Sequence, residues 1–597
     1  MGLIAAIRRE YLFISGMTAT LKRIKHIDPN SSFLLVDEME QAAKRYAKNT
    51  AFVMGGQSWT YDEFDAYANR VASWALAQGY GPGDTIAFFS HNRLEYVAIW
   101  YGLSKVGVIA ALLNTQLVGK SLAHCITVAD SKAIITEPEL LDEAIKVNSR
   151  MDTPLPVWSL EGPGKEAQDF DAALAAASDQ PPDISIRKDL RARDVVLKMF
   201  TSGTTGLPKA ALITHTRAQR YMNTFSGVVR AGQKDRMIIV LPLYHATGGI
   251  CGVGTSLLTG GALIIQKGFS ASRFWDEAVS TGATLFMYVG ELCRFLVNTP
   301  ETPAEHKHKI RAMIGNGLRP DVWKRFVERF GIHKIAEFYG ATEGNVGLLN
   351  ADGQIGAIGR VPWYARKSFN IALVKIDPET LEPLRDENGF CIKAGLNEPG
   401  EAIGYIDPSD ARFRFDGYGS KSETQKKLLR HVFKKDDLYF RTGDLMRVDR
   451  HGYYYFVDRV GDTFRWMAEN VSTGEVAAAF STFPGVIQSN VYGVEVPGYD
   501  GRAGMAAYVP VGEIDYTALY AHLNEQLPVY AIPIFLREQQ QAETTSTFKF
   551  RKVDLVEDGF DPDKITDPLY VLDRKAGTYI PLTKTVYGKI LSGKIRL

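Results

Sequence analysis

The sequence has few cysteines and almost no net charge, and both features exclude classes of protein. Its 597 residues include four cysteines, Cys125, Cys251, Cys293 and Cys391. They are too far apart for a CxxC metal site and too few for a disulfide scaffold, so we expect a cytoplasmic protein in a reducing compartment. Lys and Arg total 69 and Asp and Glu total 68, so overall charge indicates no nucleic-acid partner.

The sequence also lacks a long uncharged apolar run. The most apolar stretch, residues 94–113, contains Glu95 and Lys105, whereas a spanning helix needs about 20 nearly uncharged residues. We predict a helix followed by a buried strand there. No signal peptide is expected, because Arg8, Arg9 and Glu10 interrupt the first apolar run.

The first 28 residues combine five basic residues with several apolar ones. One interpretation is a basic amphipathic helix that lies on a membrane surface, which predicts peripheral association with the inner face of the cell membrane. The other is an N-terminal helix packed on the body of the protein. The sequence leaves both interpretations open.

Several catalytic fingerprints are missing as well. The chain has no Gly-x-Ser-x-Gly elbow, no His-Glu-x-x-His helix and no Gly-x-Gly-x-x-Gly turn. Covalent serine catalysis, zinc-dependent hydrolysis and hydride transfer therefore have no support.

The order of the apolar segments predicts the fold class. Strand-length apolar runs alternate with helix-period segments through the first half of the chain, which predicts an α/β fold with parallel sheets covered by helices. After about residue 350, short alternating runs with Gly and Pro indicate a smaller antiparallel unit. Residues 458–462 form a charged joint with one glycine, so we predict an N-terminal domain over 1–457 and a small α+β domain over 463–597.

The strongest local signal follows the apolar run 195–200. It comprises Thr201, Ser202, Gly203, Thr204, Thr205, Gly206, Leu207, Pro208 and Lys209. Glycines let backbone N–H groups turn toward an anion, the hydroxyls add donors and the lysine adds positive charge, so the run predicts a triphosphate-binding loop. It is not a Walker A loop, because Pro208 stands five residues after Gly203, where that motif has glycine.

A second segment fits nucleotide chemistry, and it comprises Tyr339, Gly340, Ala341, Thr342 and Glu343. It offers an aromatic face, a hydroxyl and a carboxylate, and a carboxylate beside ATP suits Mg²⁺. A helix N-cap box is the alternative interpretation.

Two further turns are compatible with a nucleoside. Asp444 follows Thr442 and Gly443, and such an acid suits the two hydroxyls of a ribose, although an ordinary turn aspartate is the alternative. Asn316 and Gly317 follow an apolar strand, where a base can lie against the backbone. A simple strand-to-helix turn is the alternative there.

The chain resembles the ANL adenylating superfamily over nearly its whole length. The resemblance is carried by four motifs in the same order, at residues 201–209, 339–343, 442–444 and 458–459. Within that superfamily, the chain is similar to the fatty acid transport protein branch of very-long-chain acyl-CoA synthetases. This similarity is carried by residues 288–294, 315–320, 461–466 and 501–505. The resemblance implies two doubly wound sheets, a small β-barrel-like unit, a hinge at 458–462 and a mobile C-terminal domain.

The resemblance also implies a role for each motif residue. Thr201 to Lys209 hold the β- and γ-phosphates, Tyr339 packs on adenine, Thr342 touches the α-phosphate and Glu343 binds Mg²⁺. Asp444 binds the ribose with Arg459 nearby, Lys549 is the adenylation lysine, and His245 is a gate between the two half-reactions. The predicted nucleotide-binding set also includes Asn316, Gly317, Gly340 and Ala341. Ala468 departs from the glycine of the branch, so we expect a slower thioester step.

The implied reaction joins a fatty carboxylate to ATP and then passes the acyl group to the thiol of coenzyme A, with a role in fatty acid uptake. Two alternatives stay open. One is an acyl-AMP ligase that passes the acyl group to a carrier protein, and the other is a lipid transport component with incidental ligase activity. The oligomeric state and the preferred chain length also stay open.

Overall fold

The computed structural model describes residues 3–201, 208–341, 344–377, 380–408, 410, 413–415, 417, 421–466, 469–499, 501–541 and 552–597. The chain divides into two compact units. The first comprises Met1–Leu318, Val322–Ile355 and Asp407–Leu428, and the second comprises Arg319–Asp321, Gly356–Ile406 and Leu429–Leu597. The predicted joint at 458–462 lies inside the second unit, and its role as a hinge stays a prediction.

The first unit contains the α/β part of the fold. Its strands are β1 (Thr50–Met54), β2 (Gln57–Thr60), β3 (Thr85–Phe89), β4 (Ile109–Leu112), β5 (Ser131–Thr136), β6 (Val157–Ser159), β7 (Gln168–Asp169), β8 (Val195–Thr201), β9 (Lys209–Thr214), β10 (Arg236–Ile239), β11 (Ala262–Ile265), β12 (Leu285–Val289), β13 (Ala312–Asn316), β14 (Ile335–Gly340) and β15 (Gly347–Asn350). The α-helices of this part of the chain are α1 (Leu3–Ile24), α2 (Leu35–Arg45), α3 (Tyr61–Ala77), α4 (Tyr96–Lys105), α5 (Gly119–Val128), α6 (Pro138–Asn148), α7 (Phe170–Ala175), α8 (His215–Val228), α9 (Val253–Leu257), α10 (Phe274–Ser280), α11 (Gly290–Asn298), α12 (Pro320–Phe330) and α13 (Lys421–Lys426).

Two mostly parallel sheets organise this unit. One has the order β15-β14-β13-β12-β10-β11-β1-β2, and the other has the order β7-β6-β5-β3-β4-β8-β9. The strands β15, β2 and β9 are antiparallel to their neighbours, and each lies at a sheet edge. These two sheets confirm the predicted α/β class. Parallel strands that are buried on both faces have continuous apolar sequences, which is the pattern that the sequence shows.

The apolar stretch at residues 94–113 is a buried helix followed by a buried strand, as predicted. Every residue of α4 and β4 is buried. Lys105 lies inside this core because its ammonium group donates to Asp65 and to Asn69, each at 2.7 Å. Among the residues that the structure describes, no helix combines the length and apolar composition needed to cross a bilayer.

The first helix, α1, packs on α8. A Cβ atom at Gly227 of α8 would lie 2.7 Å from Thr20 Cα, so only glycine permits this close helix contact. The Arg23 guanidinium donates to Ser226 Oγ at 2.9 Å. The prediction of a packed N-terminal helix is therefore confirmed for this face, and the opposite face is exposed.

The second unit is built on antiparallel pairing. Its strands are β16 (Gly359–Arg360), β17 (Ile371–Val374), β18 (Gly400–Tyr405), β19 (Leu428–Arg430), β20 (Leu438–Val448), β21 (Tyr453–Arg459), β22 (Phe464–Trp466), β23 (Glu469–Val471), β24 (Val486–Glu495), β25 (Arg502–Pro510), β26 (Phe535–Glu538), β27 (Leu569–Asp573) and β28 (Thr578–Pro581). Its α-helices are α14 (Thr473–Ser481), α15 (Tyr516–Gln526), α16 (Val553–Asp558) and α17 (Lys584–Leu591).

These strands form three sheets. The first has the order β16-β21-β20-β18-β17 with β19 paired to β20, the second is the pair β22-β23, and the third has the order β24-β25-β26-β27-β28. The smaller antiparallel unit and the small α+β region are confirmed. Beside the first of these sheets, Lys393 and Cys391 form isolated bridges to Val374 and Arg385.

We predict that Asn92 stabilises the first unit by joining the ends of β10 and β11. Its buried side-chain amide donates to the carbonyls of Leu241 and Gln266, each at 2.9 Å, and accepts from Leu243 N at 2.8 Å. The Asn92→Leu variant leaves three buried groups unpaired and should lower the free energy of unfolding by about 2–4 kcal/mol in denaturant titration. The exposed Gln233→Leu variant is the control, and equal unfolding midpoints in the two variants would contradict this assignment.

Candidate active site

Two paired strands flank the predicted triphosphate loop. β8 and β9 are antiparallel, and Thr201 pairs directly with Lys209. Both residues are half-buried, and His124 Nε2 lies 3.1 Å from the Pro208 carbonyl oxygen. The strand pairing therefore holds the two ends of the loop together, which is what a compact anion-binding loop needs.

Three parallel strands of the eight-stranded sheet end side by side. β12, β13 and β14 are consecutive neighbours and end at Val289, Asn316 and Gly340. Asn316 and Tyr339 therefore lie at the same carboxyl edge, and open α/β sheets bind ligands at such edges. Tyr339 is half-buried, as an aromatic side chain that packs on a base would be.

Glycines shape the loop that follows β13. Gly317 has a φ of +79°, which favours glycine, and a Cβ atom at Gly290 would lie 1.8 Å from the Gly317 carbonyl oxygen. The Asn316 side chain places Oδ1 in a buried position where the described residues offer it no hydrogen-bond partner. Because a buried acceptor needs a donor, this oxygen fits an amino group such as the one on adenine.

A carboxyl group lies buried beside the same loop. Glu337 on β14 accepts a hydrogen bond from Leu318 N at 3.1 Å, and the Tyr288 hydroxyl donates to its other oxygen. Burial raises the pKa of the Glu337 carboxyl to about 8. The sequence analysis did not single out Glu337, because only the strand order brings it beside residues 316–318.

The segment after Tyr339 turns as a hairpin. β14 and β15 are antiparallel, and Gly340 pairs with Gly347, while Thr342 and Glu343 between these strands lie outside the described residues. Two side chains of α8 hold the turn, because Arg217 donates to the Gly344 carbonyl at 3.1 Å and Tyr221 to the Ala341 carbonyl at 3.4 Å. The sequence analysis missed both residues, although their spacing of four places them on one face of a predicted helix.

His245 immediately precedes an unusual helical turn. Its carbonyl accepts from Gly249 N at 2.7 Å, and residues Thr247–Gly252 form a π-helical turn. A Cβ atom at Gly249 would lie 1.9 Å from the Leu243 carbonyl oxygen, so only glycine fits. Such turns occur often at functional sites, and the role of His245 as a gate stays a prediction.

In the second unit, Asp444 and Arg459 are cross-strand partners on β20 and β21. Arg459 Nε lies 3.6 Å from Asp444 Oδ1, and the Asp444 side chain is 14% exposed while that of Arg459 is 59% exposed. Asp444 lies within an eleven-residue strand rather than in an ordinary turn. Thr442 Oγ1 accepts from Asp444 N at 3.1 Å and thereby supports this position.

The predicted joint contains a buried acid. The Asp458 carboxylate accepts from Thr473 N at 2.7 Å, and burial raises the pKa of this carboxyl. Lys552 Nζ donates to Asp462 Oδ2 and to Thr473 Oγ1, each at 2.9 Å. Gly461 has a φ of +95°, a conformation that glycine adopts readily.

Several predicted site residues lie outside the described residues, and their roles stay predictions. They are Ser202, Gly203, Thr204, Thr205, Gly206, Thr342, Glu343, Ala468 and Lys549.

Comparison with known proteins identifies the class. The family of AMP-binding enzymes matches residues 39–395, more than half of the chain, so the chain belongs to the AMP-binding enzymes. The solved structure of the anthranilate CoA ligase AuaEII in complex with anthranoyl-AMP has a TM-score of 0.74 at 18% identity and covers 89% of this chain and 98% of that chain. It shows the same fold.

Whole-chain relatives narrow the family. Long-chain fatty acid transport protein 1 of Homo sapiens is 42% identical over 548 residues, which is 91% of this chain and 84% of that protein. Long-chain fatty acid transport protein 6 of Mus musculus is 38% identical over 570 residues, which is 94% of this chain and 91% of that protein. Within the AMP-binding enzymes, the chain is a member of the long-chain fatty acid transport protein family, which confirms the predicted resemblance.

We predict that Gly290→Ala weakens nucleotide binding. The new Cβ atom would displace the Gly317 carbonyl, and a shift of about 1 Å at a site costs on the order of 100-fold in rate. The KM for ATP and the rate of pyrophosphate exchange measure this effect. The control is Gly268→Ala, because a Cβ atom at Gly268 would enter open space. Equal ATP kinetics in the two variants would show that Gly317 does not adjoin the nucleotide.

Proposed function

We propose that this protein is an ATP-dependent, AMP-forming ligase that converts long- or very-long-chain fatty acids to acyl-CoA. The observation that carries the proposal is the buried Oδ1 of Asn316 at the carboxyl edge of the sheet, for which the described residues offer no hydrogen-bond partner, in a chain of the AMP-binding family. The relatives named long-chain fatty acid transport proteins support a fatty carboxylate as the substrate.

The proposed reaction has two steps. A fatty carboxylate oxygen attacks the α-phosphorus of ATP, which forms acyl-AMP and releases pyrophosphate. The thiol of coenzyme A then attacks the acyl carbon, which forms the thioester and releases AMP. Because charging a lipid with coenzyme A keeps it inside the cell, the same reaction supports a role in fatty acid uptake.

The first step needs positive charge and hydrogen-bond donors around the phosphates. We assign Thr201 and Lys209, at the two ends of the hairpin loop, to the β- and γ-phosphates together with the loop between them. Glu343 would hold Mg²⁺, which neutralises phosphate charge when bound. The Lys549 ammonium would stabilise the charge that develops at the α-phosphate.

Recognition of the nucleoside is assigned to four residues. Tyr339 would pack on adenine and Asn316 Oδ1 would accept from its amino group. Asp444 would accept from the ribose hydroxyls, and Arg459, its cross-strand partner, would orient that carboxylate.

The second step requires Lys549 to withdraw so that a thiol can enter. We propose that residues 463–597 rotate about 458–462 and that His245 gates the thiol path. The positive φ of Gly461 supports a pivot there, because glycine accepts large φ changes.

The test is a panel of carboxylates, from short to very long chains, scored separately for pyrophosphate release and thioester product. Lys549→Ala should slow pyrophosphate release on the order of 100- to 1,000-fold, because one charge at the developing transition state is lost. The exposed Lys564→Ala is the matched control and should be unchanged.

The other outcomes separate the alternatives. Pyrophosphate release without acyl-CoA would indicate an acyl-AMP ligase that serves a carrier protein. Fatty acid uptake that survives Lys549→Ala in cells would indicate a transport component. Wild-type protein that releases no pyrophosphate with any carboxylate would contradict the proposed function.

We also propose that the protein works in the cytoplasm and at the inner membrane face, and that the exposed face of α1 lies on an anionic lipid surface. Ile7, Tyr11, Ile14 and Leu21 are 60%, 68%, 52% and 55% exposed. Their spacing places them on one stripe of the helix. Lys22 and other exposed basic residues near the end of α1 supply charge complementary to anionic lipid.

We predict that Ile14→Glu weakens binding to vesicles that contain phosphatidylglycerol, because a carboxylate replaces an apolar side chain at the lipid boundary. Cosedimentation should show a several-fold loss. Ile184→Glu is the matched control, since Ile184 is 64% exposed elsewhere in the same unit. Equal sedimentation of the two variants would contradict the assignment of α1.

A further inference from the structure

We propose that Glu337 and Tyr288 form a buried clamp that fixes residues 316–318 in position for the adenine base, so that both are positioning residues for ATP. This inference rests on the proposed function and deepens it. The clamp lies beneath the loop, and its two side chains act on the nucleotide through the backbone of residues 316–318.

The strand register brings the clamp together. Tyr288 on β12 pairs with Gly315 on β13, and Gly315 pairs with Glu337 on β14. A Cβ atom at Gly315 would lie 2.7 Å from Tyr288 Cγ. The missing side chain at Gly315 therefore leaves the Tyr288 ring room to cross β13 and reach Glu337.

The hydrogen bonds of Glu337 lead from the core to the loop. One carboxyl oxygen accepts from Leu318 N at 3.1 Å, and the other accepts from the Tyr288 hydroxyl. Both side chains are almost completely buried. Leu318 follows the left-handed Gly317, so the bond to Leu318 N fixes the end of the loop.

The chemistry of this carboxyl favours a hydrogen-bonding role over an ion-pairing role. Its described hydrogen-bond partners are a hydroxyl and a backbone amide, and burial raises its pKa to about 8. A buried carboxyl costs stability relative to an apolar side chain, and its bond to the loop offers a functional reason for its presence.

The glycines around the loop cannot support it with side chains. Gly290, Gly315 and Gly317 provide close backbone approach but no side chains. With Leu318 N held, Asn316 keeps its Oδ1 at the sheet edge. Without the clamp, ATP binding would have to order the loop, and that ordering costs binding free energy.

The test compares two Tyr→Phe variants in the full-length protein. Tyr288→Phe removes the hydroxyl of the clamp and keeps the ring. Tyr101→Phe is the matched control, because Tyr101 is also fully buried in the first unit and donates to a carboxylate, Asp65, at 2.8 Å. Both variants lose one buried hydrogen bond of the same kind.

We expect Tyr288→Phe to raise the KM for ATP about 5- to 20-fold, the equivalent of one buried hydrogen bond. It should also lower the preference for ATP over GTP, with the KM for fatty acid and for coenzyme A unchanged. Tyr101→Phe should alter thermal stability only. Glu337→Gln keeps an acceptor and should retain more ATP affinity than Glu337→Met.

Three results would overturn the inference. They are equal ATP kinetics in Tyr288→Phe and Tyr101→Phe, an equal rise in the KM of all three substrates, and a Glu337→Gln variant no better than Glu337→Met. If Glu337→Met does not fold, the two Tyr→Phe variants still decide the question. Wild-type protein without ATP-dependent activity would instead remove the proposed function itself, and the clamp with it.

Discussion

The close approach of backbone segments at the carboxyl edge of the eight-stranded sheet is the constraint on which the candidate site depends. β12, β13 and β14 are parallel neighbours, and glycines at 290, 315 and 317 let their ends come together without side-chain clashes. Parallel strands end at one edge, and a ligand there meets several loops at once. In this chain that edge offers the Tyr339 ring and the Asn316 amide oxygen, which has no hydrogen-bond partner in the described part of the chain.

The loops themselves are held by side chains that do not belong to the recognised motifs. Arg217 and Tyr221 of α8 donate to carbonyls of the hairpin turn, and Glu337 accepts from the loop after β13. Loops that must meet a ligand cannot rely on regular secondary structure for their hydrogen bonds. Side chains from helices and strands supply hydrogen bonds in their place, and these bonds fix the positions of the loops.

The second unit shows the same arrangement around different acids. Asp444 is paired across strands with Arg459, and its neighbour Glu401 is buried and bound by Arg441 at 2.8 Å. Asp458 is buried against the start of α14, whereas the sequence indicated only a charged joint. Composition alone cannot show that Thr473 returns to cover this carboxylate.

The sequence by itself determined the element types, the α/β class and the chemistry of the motifs, because these depend on local patterns. The helix and strand predicted within 94–113 are α4 and β4, and the apolar run 195–200 lies within β8. Only the tertiary structure decided that Tyr288, Gly315 and Glu337 stand side by side and that α8 supports the turn after Tyr339. These contacts depend on strand order and register, which arise from packing between distant segments and leave no local signal.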